Sequence, residues 1–306
     1  MQGALNVDKV VEHLDLKVGY ACNNNCLFCA VAEKRKSGDK TREQIEKEIS
    51  VSFSEGKKSI VFTGGECTIR KDIIHLVAFA RSTGFKNIQI QTNGSMFACK
   101  DFANKMVISG MTEFAPALHG HNAEIHDGLT RRKGSWRQTV LGIKNIKALG
   151  VRTLTNTVIT RQNYRNLPDI AFLLSNLRVD IFQMAFPHIM GNAYKYHKRI
   201  VPKISEVMPY VKKALDIGIK RGTKGRVEAI PFCFLQGYEK CVTEIYTSPV
   251  QVKEVGWSLD DFKKVRKEEA KKKFTKCLKC KFYNVCEGTW KEYPELFGEK
   301  EFMPVC

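Results

Sequence analysis

The chain has 306 residues, of which 43% are hydrophobic and 27% charged, which is the composition of an ordinary globular protein rather than a disordered one. Its 50 Lys and Arg residues exceed its 32 Asp and Glu residues, and the formal net charge of +18 suits either an anionic partner or a well-solvated surface. No apolar run approaches the roughly 20 residues of a membrane-spanning helix, and residues 1–19 do not resemble a secretory signal, so we expect a cytoplasmic protein with no membrane segment.

Short β-rich runs alternate with helical patterns over residues 14–221, which is the arrangement of βα units on a parallel sheet. The predicted strands cover residues 14–20, 59–63, 87–91, 114–118, 153–159 and 180–185. The predicted helices cover residues 41–56, 73–83, 135–149, 167–177 and 204–221. In the first of these helices Thr41 is a candidate N-cap, and Gln44 occupies the capping-box position.

The repeating units predict an α/β fold, a partial (β/α)6 TIM barrel. In such barrels the chemistry lies in loops at the carboxyl ends of the strands, where this sequence has its polar motifs. After a strand predicted at 226–230 the repeat stops and a cysteine-rich tail follows. We therefore expect a barrel domain over residues 1–225 and a small C-terminal domain over residues 226–306, with the boundary near Gly225.

The chain has 11 cysteines and no export signal, so metal ligation is favoured over a disulfide framework. One group, Cys22, Cys26 and Cys29, has the spacing C-x3-C-x2-C. Three thiolates leave one iron of a [4Fe-4S] cubane open, and an open iron can chelate an amine and a carboxylate such as those of S-adenosylmethionine (SAM). The alternative is a structural zinc site, although zinc usually takes paired C-x2-C units that bring four ligands together.

Residues 22–29 resemble the cluster-binding signature of the radical SAM superfamily, and residues 63–66 resemble the GGE motif of that family. The resemblance implies that an aromatic residue beside the last cysteine lies against the adenine of SAM. It also implies that the GGE segment holds the SAM amino group, with glycines that allow a close backbone approach. The SAM contacts implied in this way are Phe28, Gly64, Gly65 and Glu66.

Later strand ends of the family approach the ribose and the substrate, and residues 91–94 and 117–120 resemble them. Arg131 or Arg132 is either a partner of the SAM carboxylate, which a guanidinium fork suits, or a surface arginine. Residues 187–191 form either a remaining adenosine or substrate contact or an ordinary turn. The candidate contacts from these segments are Thr92, Asn93, His119, Arg131 and His188.

Two residues near the implied SAM pocket have competing interpretations. Cys67 stands where the family usually has proline, so it is either a catalytic hydrogen-atom donor or acceptor or a small buried core residue. His119, with His121 and His126, belongs either to a SAM-pocket loop or to a zinc site. No cysteine or paired acidic base accompanies these histidines at helix spacing, which favours the pocket loop.

A second cysteine group near the C-terminus resembles the auxiliary-cluster motif of the SPASM and twitch subgroup of the superfamily. Its members are Cys277, Cys280 and Cys286, in the spacing C-x2-C-x5-C. A full SPASM domain has a further cysteine four residues on, where this chain has Trp290, so we expect a single auxiliary [4Fe-4S] cluster in a twitch/SPASM-like domain. Its fourth ligand is Cys233 or Cys306, and Cys233 is favoured because it follows a strand and a proline, whereas a terminal residue tends to fray. A zinc knot is the alternative.

The resemblance implies an enzyme in which a reduced cluster, supplied with electrons by a flavodoxin or ferredoxin, cleaves SAM to a 5′-deoxyadenosyl radical that abstracts hydrogen from the substrate. An auxiliary cluster points to oxidation, crosslinking or epimerisation of that substrate. Most relatives with such tails modify peptides, but only 21 residues precede Cys22, so no leader-binding domain is expected there. The expected substrate is therefore a leaderless peptide, a peptide that needs a separate recognition partner, or a small molecule.

Two other functions fit parts of the sequence. A nucleotide or another small anionic metabolite suits the basic charge. An iron-sulfur or zinc RNA-binding protein is the non-enzymatic alternative. It would need a basic aromatic surface rather than a GGE motif, and no sequence motif supports binding to nucleic acid.

Overall fold

The computed structural model describes residues 12–306, so the first residues of the predicted barrel domain lie outside the described part. The strands are β1 His13–Lys17, β2 Ser59–Thr63, β3 Asn87–Thr92, β4 Glu113–Pro116, β5 Arg152–Val158, β6 Ile181–Ala185, β7 Lys224–Glu228, β8 Val250–Lys253, β9 Ser258–Leu259, β10 Lys271–Lys272 and β11 Thr289–Trp290. The helices are α1 Arg42–Ser54, α2 Ile73–Thr83, α3 Lys100–Ile108, α4 Ala123–Thr130, α5 Ser135–Ala148, α6 Leu167–Asn176, α7 Gly191–Lys195, α8 His197–Ile200, α9 Ile204–Arg221, α10 Phe262–Val265 and α11 Tyr293–Phe297. Within residues 12–306, no helix has the length and apolar character needed to cross a membrane.

The main sheet contains β1 to β7 in chain order, and each of these strands hydrogen-bonds in parallel to the next. This order confirms the predicted α/β partial barrel. β8 then pairs in parallel with the other edge of β1, and β9 follows antiparallel to β8, which makes a sheet of nine strands. β10 and β11 form a separate antiparallel pair.

Predicted and observed elements agree within a few residues over most of the barrel. The capping box of α1 is confirmed, because the backbone N–H of Gln44 donates to Thr41 Oγ1 at 3.2 Å and the N–H of Thr41 donates to Gln44 Oε1 at 2.8 Å. The helices that were not predicted include α3 and α4, between β3 and α5. Both are short, and the apolar repeat within each is correspondingly brief.

The predicted domain boundary near Gly225 falls inside β7, which hydrogen-bonds to β6. Residues 250–253 then return to pair with β1. The main sheet therefore takes strands from both predicted domains, because a parallel sheet with an open edge accepts a strand from any part of the chain that reaches it.

The two faces of the barrel sheet differ in polarity, since successive strand residues point to opposite sides. The helix-facing side is apolar and fully buried, as in Leu14, Leu16, Ile60, Phe62, Ile88 and Ile90. The inner side carries polar residues that line an open space: Gln89, Gln91, Asn156, Gln183 and Glu228. The barrel interior is therefore a cavity rather than an apolar core.

The turn after β2 packs backbone to backbone against the segment after β1. A Cβ added to Gly65 would lie 2.3 Å from the carbonyl oxygen of Ala21 and 2.5 Å from that of Tyr20. The N–H of Gly65 donates to the Gly19 carbonyl at 2.9 Å, and the N–H of Glu66 donates to the Ala21 carbonyl at 2.8 Å. Only glycine allows this approach, and it holds the start of the first cysteine loop against the end of β2.

Gly65→Ala is expected to lower the free energy of unfolding by about 1–3 kcal/mol or more, because the new Cβ has no room beside two carbonyl oxygens. Anaerobic urea denaturation of the reconstituted protein measures this change. Gly128→Ala in α4 is the matched control, since its Cβ would enter open space, and we expect it to be neutral or stabilising by about 0.5–1 kcal/mol. Equal stability of the two variants would contradict the described packing.

Candidate active site

The carboxyl ends of β1 to β7 surround a cavity of about 660 Å³. The first cysteine group lines it with all three members, Cys22, Cys26 and Cys29. Most of the predicted SAM contacts also line it, namely Phe28, Gly64, Gly65, Glu66, Thr92, Asn93, His119 and His188. The structure thus brings together, at one end of the barrel, residues that are spread over more than half of the chain.

The first cysteine loop is held in place by neighbours on both sides. The N–H groups of Asn25 and Leu27 donate to the last carbonyls of α4, at 3.0 and 2.9 Å. Asn192 supports the other side, with its N–H donating to the Cys29 carbonyl at 2.9 Å and its Nδ2 donating to the Cys26 carbonyl at 2.8 Å. Sequence reasoning missed Asn192, which lies just after the residues 187–191 that were singled out.

The donor chemistry of the first cysteine group fits an iron-sulfur cluster. The N–H of Asn24 points at Cys22 Sγ at 3.4 Å, a hydrogen bond that favours thiolate. Burial, followed by the nearby sulfurs of Cys29 and Cys22, raises the pKa of the Cys26 thiol, so a bound cationic iron is the natural source of thiolate stabilisation. Within residues 12–306, no three His, Cys, Asp or Glu side chains are placed to hold one metal ion, and the case for a cluster rests on the thiols and their surroundings.

The carboxylate of Glu66 ties the ends of β2 and β3 together. Its Oε1 accepts hydrogen bonds from the backbone and hydroxyl of Thr68 and from Thr92 Oγ1, the last at 2.6 Å. Its Oε2 accepts from the N–H of Asn93. Burial raises the pKa of Glu66, and the hydrogen bonds from Asn93, Thr68 and Thr92 oppose that shift. Since a carboxylate oxygen accepts about two hydrogen bonds, Oε2 can take one more donor from the cavity, such as an ammonium.

Asn93 links this carboxylate to the first cysteine loop. Its Nδ2 donates to Asn23 Oδ1 at 2.6 Å, and Asn23 Nδ2 in turn donates to Ser95 Oγ at 3.2 Å. A buried oxygen in the same loop, Asn24 Oδ1, has no hydrogen-bond partner among the described residues, and Asn156 Oδ1 on the opposite wall has none either. Unpaired buried oxygens in a cavity wall are what a polar ligand would satisfy.

His119 and Phe28 form one wall of the cavity, with ring centroids 4.5 Å apart in an edge-on arrangement. His119 Nδ1 accepts a hydrogen bond from the N–H of Val158 at 3.2 Å, which leaves the proton on Nε2, and burial lowers the pKa of His119 well below its ordinary value. His126 Nδ1 accepts from the N–H of His119 at 3.0 Å. One ring nitrogen of His119 and one of His126 thus accept a hydrogen bond from a backbone N–H. This favours the pocket-loop interpretation of this segment over the zinc site.

Two predicted site residues are not brought to the cavity. Arg131 is exposed and ends α4 in the left-handed backbone conformation, with φ 55°, and it is not part of the cavity wall. Cys67 is 1% exposed, and its Sγ lies 3.4 Å from the Gln91 carbonyl and 3.7 Å from the Phe62 carbonyl, within the apolar core. The turn after Glu66 directs this thiol inward, so the structure favours the buried-core interpretation over a catalytic role.

Trp290, which occupies the place of an expected cysteine, lines the cavity instead. Its ring stacks on that of His188 with centroids 3.9 Å apart and an angle of 10° between the planes. Burial, followed by the charges of Lys291 and Lys271, lowers the pKa of His188 to about 4, so the imidazole is neutral at physiological pH. The signal in the sequence for this contact is a Trp at a position where a full SPASM domain has a cysteine.

The second cysteine group faces a small apolar space shared with Cys233. The thiols around it are Cys233, Cys277, Cys280 and Cys286. Backbone N–H groups of Phe274, Gly288 and Val305 each approach one sulfur at 3.4 Å, those of Cys277, Cys286 and Cys280 respectively. Burial, followed by the neighbouring sulfurs, raises the pKa of Cys233 to about 12. Four thiols with N–H donors form a suitable donor set for a fully ligated cluster.

Cys306 lies outside this group of four thiols. It is exposed, and its Sγ is 3.9 Å from the Lys279 carbonyl. It is not among the residues that line the apolar space. The arrangement supports Cys233 as the fourth ligand.

Comparisons with known proteins identify a matching family and similar curated proteins. A model of the radical SAM superfamily matches residues 16–174. The chain is 26% identical over 247 residues to a probable GTP 3′,8-cyclase of Saccharolobus islandicus (strain M.14.25 / Kamchatka #1), covering 78% of this chain and 76% of the relative. It is 28% identical over 218 residues to a probable GTP 3′,8-cyclase of Saccharolobus solfataricus, covering 69% of this chain and 67% of the relative.

Solved structures resemble the fold over nearly the whole chain. Streptococcus suis SuiB bound to its precursor peptide SuiA superposes with a TM-score of 0.67 at 18% identity, covering 96% of this chain and 75% of SuiB. Native anSMEcpe with bound AdoMet and the Cp18Cys peptide superposes with a TM-score of 0.65 at 16% identity, covering 95% of this chain and 92% of that protein. At these identities the likeness concerns the fold.

Cys233→Ser is expected to remove the second cluster, lowering iron from about eight to about four per chain after anaerobic reconstitution. Cys306→Ser is expected to leave both the iron content and the visible spectrum unchanged, because its sulfur does not face the other thiols. Cys241→Ser, at a half-buried thiol outside the group, controls for the loss of any cysteine in this region. Iron loss in Cys306→Ser without loss in Cys233→Ser would reverse the assignment.

Proposed function

The chain belongs to the radical SAM superfamily, whose enzymes use a [4Fe-4S] cluster and SAM, and we propose that it oxidises or crosslinks a peptide with the help of an auxiliary cluster. When bound, the first cluster and SAM supply a 5′-deoxyadenosyl radical that abstracts hydrogen from the substrate. Membership of an enzyme superfamily removes the RNA-binding alternative. A flavodoxin or ferredoxin is the proposed electron donor.

We assign one set of cavity residues to binding the cluster and another set to binding SAM. Cys22, Cys26 and Cys29 would hold the cluster. Glu66 Oε2, with its remaining acceptor position, receives the SAM amino group. Phe28 and His119 form an apolar wall for the adenine.

One observation carries the proposal of a second electron site: the first cysteine group lines the cavity, and so does Trp290, which lies close in sequence to the second group. Cys22, Cys26 and Cys29 line it directly. From Cys286 in the second group the chain runs only four residues to Trp290, which forms part of the cavity wall. A substrate in this cavity would therefore lie beside the first group and against a residue that the chain connects closely to the second. If four thiols each bind one iron of the second cluster, no iron is left without a protein ligand for a substrate to bind. The second cluster is then better suited to accept an electron than to anchor the substrate.

A peptide suits the cavity better than a nucleotide because the cavity offers few free cations. Among the described residues, Lys17 and Arg35 are the lysine and arginine that line it. Lys17 Nζ is paired with Asp15 at 2.8 Å, and Arg35 donates to the Asn24 carbonyl at 2.6 Å. A triphosphate would enter without a matching set of charges. Two solved structures that resemble this fold contain bound peptides, which agrees with this choice.

A nucleotide is the second candidate, because the chain is 26% identical to a probable GTP 3′,8-cyclase over 78% of its length. Its overall net charge of +18 also suits an anion. A nucleotide, unlike a peptide, would need positive charge beside its phosphates, and the cavity wall has few basic residues to supply it.

The anaerobic, reconstituted and reduced protein is expected to convert SAM to 5′-deoxyadenosine. Cys22→Ser should abolish this conversion, since it removes one ligand of the first cluster, whereas Cys99→Ser, at an exposed thiol, should retain it. Chromatography with mass detection quantifies the product. Absence of 5′-deoxyadenosine from the wild type would overturn the proposed function.

GTP is expected neither to increase the rate of SAM cleavage nor to be consumed, because the cavity offers too few free cations for its phosphates. The same anaerobic assay, run with deuterated peptides and with deuterated GTP, scores label transfer into 5′-deoxyadenosine. Transfer from GTP, with none from peptides, would replace the peptide by the nucleotide candidate.

A further inference from the structure

Glu228 is a carboxyl group at the end of β7 that the proposed SAM and cluster contacts do not use. It lies deep in the protein but exposes part of its side chain to the cavity, whose wall it forms. Among the described residues its carboxylate has one direct partner, a neutral amide: Gln183 Nε2 donates to Glu228 Oε2 at 2.7 Å. Gln183 in turn accepts at Oε1 from Thr243 Oγ1 at 2.9 Å, so the amide orientation is fixed.

The charged residues behind Glu228 are already matched to one another. Arg266 forms a two-pronged pair with Glu287, with both N···O distances 2.8 Å. Lys271 Nζ lies 2.6 Å from Glu244 and 3.0 Å from Glu287. No salt bridge within the described residues includes Glu228.

This buried group therefore holds three carboxylates, those of Glu228, Glu244 and Glu287, against two cations. The carboxylate left over is the one that faces the cavity. Burial and the nearby Glu244 raise the pKa of Glu228, while Arg266 and Lys271 act in the opposite direction. An uncompensated carboxylate at the wall of a deep cavity is costly to keep ionised without a cationic partner.

We infer that the substrate brings a cationic side chain, the ammonium of a lysine or the guanidinium of an arginine, which binds to the carboxylate of Glu228. Gln183 positions the acceptor oxygens, and the stacked pair of His188 and Trp290 forms an adjoining part of the wall for the aliphatic stem of that side chain. The inference rests on the proposed function, since it specifies which peptide side chain the cavity selects. It also explains how a strongly basic protein can take a basic residue, since the cavity wall at Glu228 presents a carboxylate that no salt bridge among the described residues includes.

The test compares two probes of the same shape, N-acetyl-L-lysine methylamide and its uncharged norleucine analogue, with N-acetyl-L-arginine methylamide as a second cation. Calorimetric titration into the anaerobic, reconstituted, SAM-bound protein measures their affinities. We expect the lysine or arginine probe to bind about tenfold or more tightly than the norleucine probe, as for a charge-assisted hydrogen bond in a buried site.

Glu228→Gln keeps the shape but removes the charge, and it is expected to abolish the preference for the cationic probes. Glu268→Gln, at an exposed carboxylate two residues after Arg266, should retain the preference. If Glu228→Gln does not fold, Glu228→Asp and the wild-type preference provide the test, since Asp should retain selectivity for the cation. Equal binding of the lysine and norleucine probes by the wild type, or a preference that survives in Glu228→Gln, would overturn the inference.

The outcome of this binding test can be distinguished from the outcome of the test of the proposed function. SAM cleavage by the same preparation reports on the function, and probe binding reports on Glu228. A protein that makes 5′-deoxyadenosine but shows no preference for a cationic probe would retain its proposed function and lose this specificity.

Discussion

Backbone packing between residues 19–21 and the two glycines after β2 holds the first cysteine loop in position, and the rest of the site depends on it. Because Gly64 and Gly65 have no side chain, their backbone approaches the neighbouring carbonyl oxygens directly. Glu66 follows them and is thereby directed into the cavity, where it accepts hydrogen bonds from Thr92 and Asn93. Three strand ends are joined in this way, so the first cysteine loop and the carboxylate of Glu66 cannot move independently.

The interior of the barrel owes its chemistry to the alternation of side chains along the strands. Apolar residues face the helices and supply the packing, which leaves the inner positions free to be polar. Gln89, Gln91, Gln183 and Glu228 occupy those positions and line a cavity. The outer face of the sheet thus provides the apolar packing that stabilises the barrel, and the inner face provides the polar groups of the cavity. Few of the protein's basic residues line that inner face.

The sequence was sufficient for features that depend on nearby residues. The strands of the barrel, the capping box of α1, the spacing of Cys22, Cys26 and Cys29 and the position of the GGE segment are all local patterns. What could not be predicted depends on distant segments or on side-chain direction. Trp290 could be recognised only as a missing cysteine, because its stacking on His188 joins residues far apart in the chain. Arg131 and Cys67 had suitable chemistry, but the left-handed backbone at the end of α4 and the inward turn after Glu66 direct them away from the cavity.

The pairing of β8 with β1 has a consequence for how the protein is made. A ribosome delivers β1 first, and its outer edge stays unpaired until residues 250–253 have emerged and folded onto it. Tyr20 and Lys34, on either side of the first cysteine loop, then hydrogen-bond to Glu254 just beyond β8. Contacts between such distant segments form late, because the intervening chain must lose its conformational freedom first. The first cysteine loop is therefore synthesised well before the segment that secures it, and it is among the last parts of the barrel to be secured.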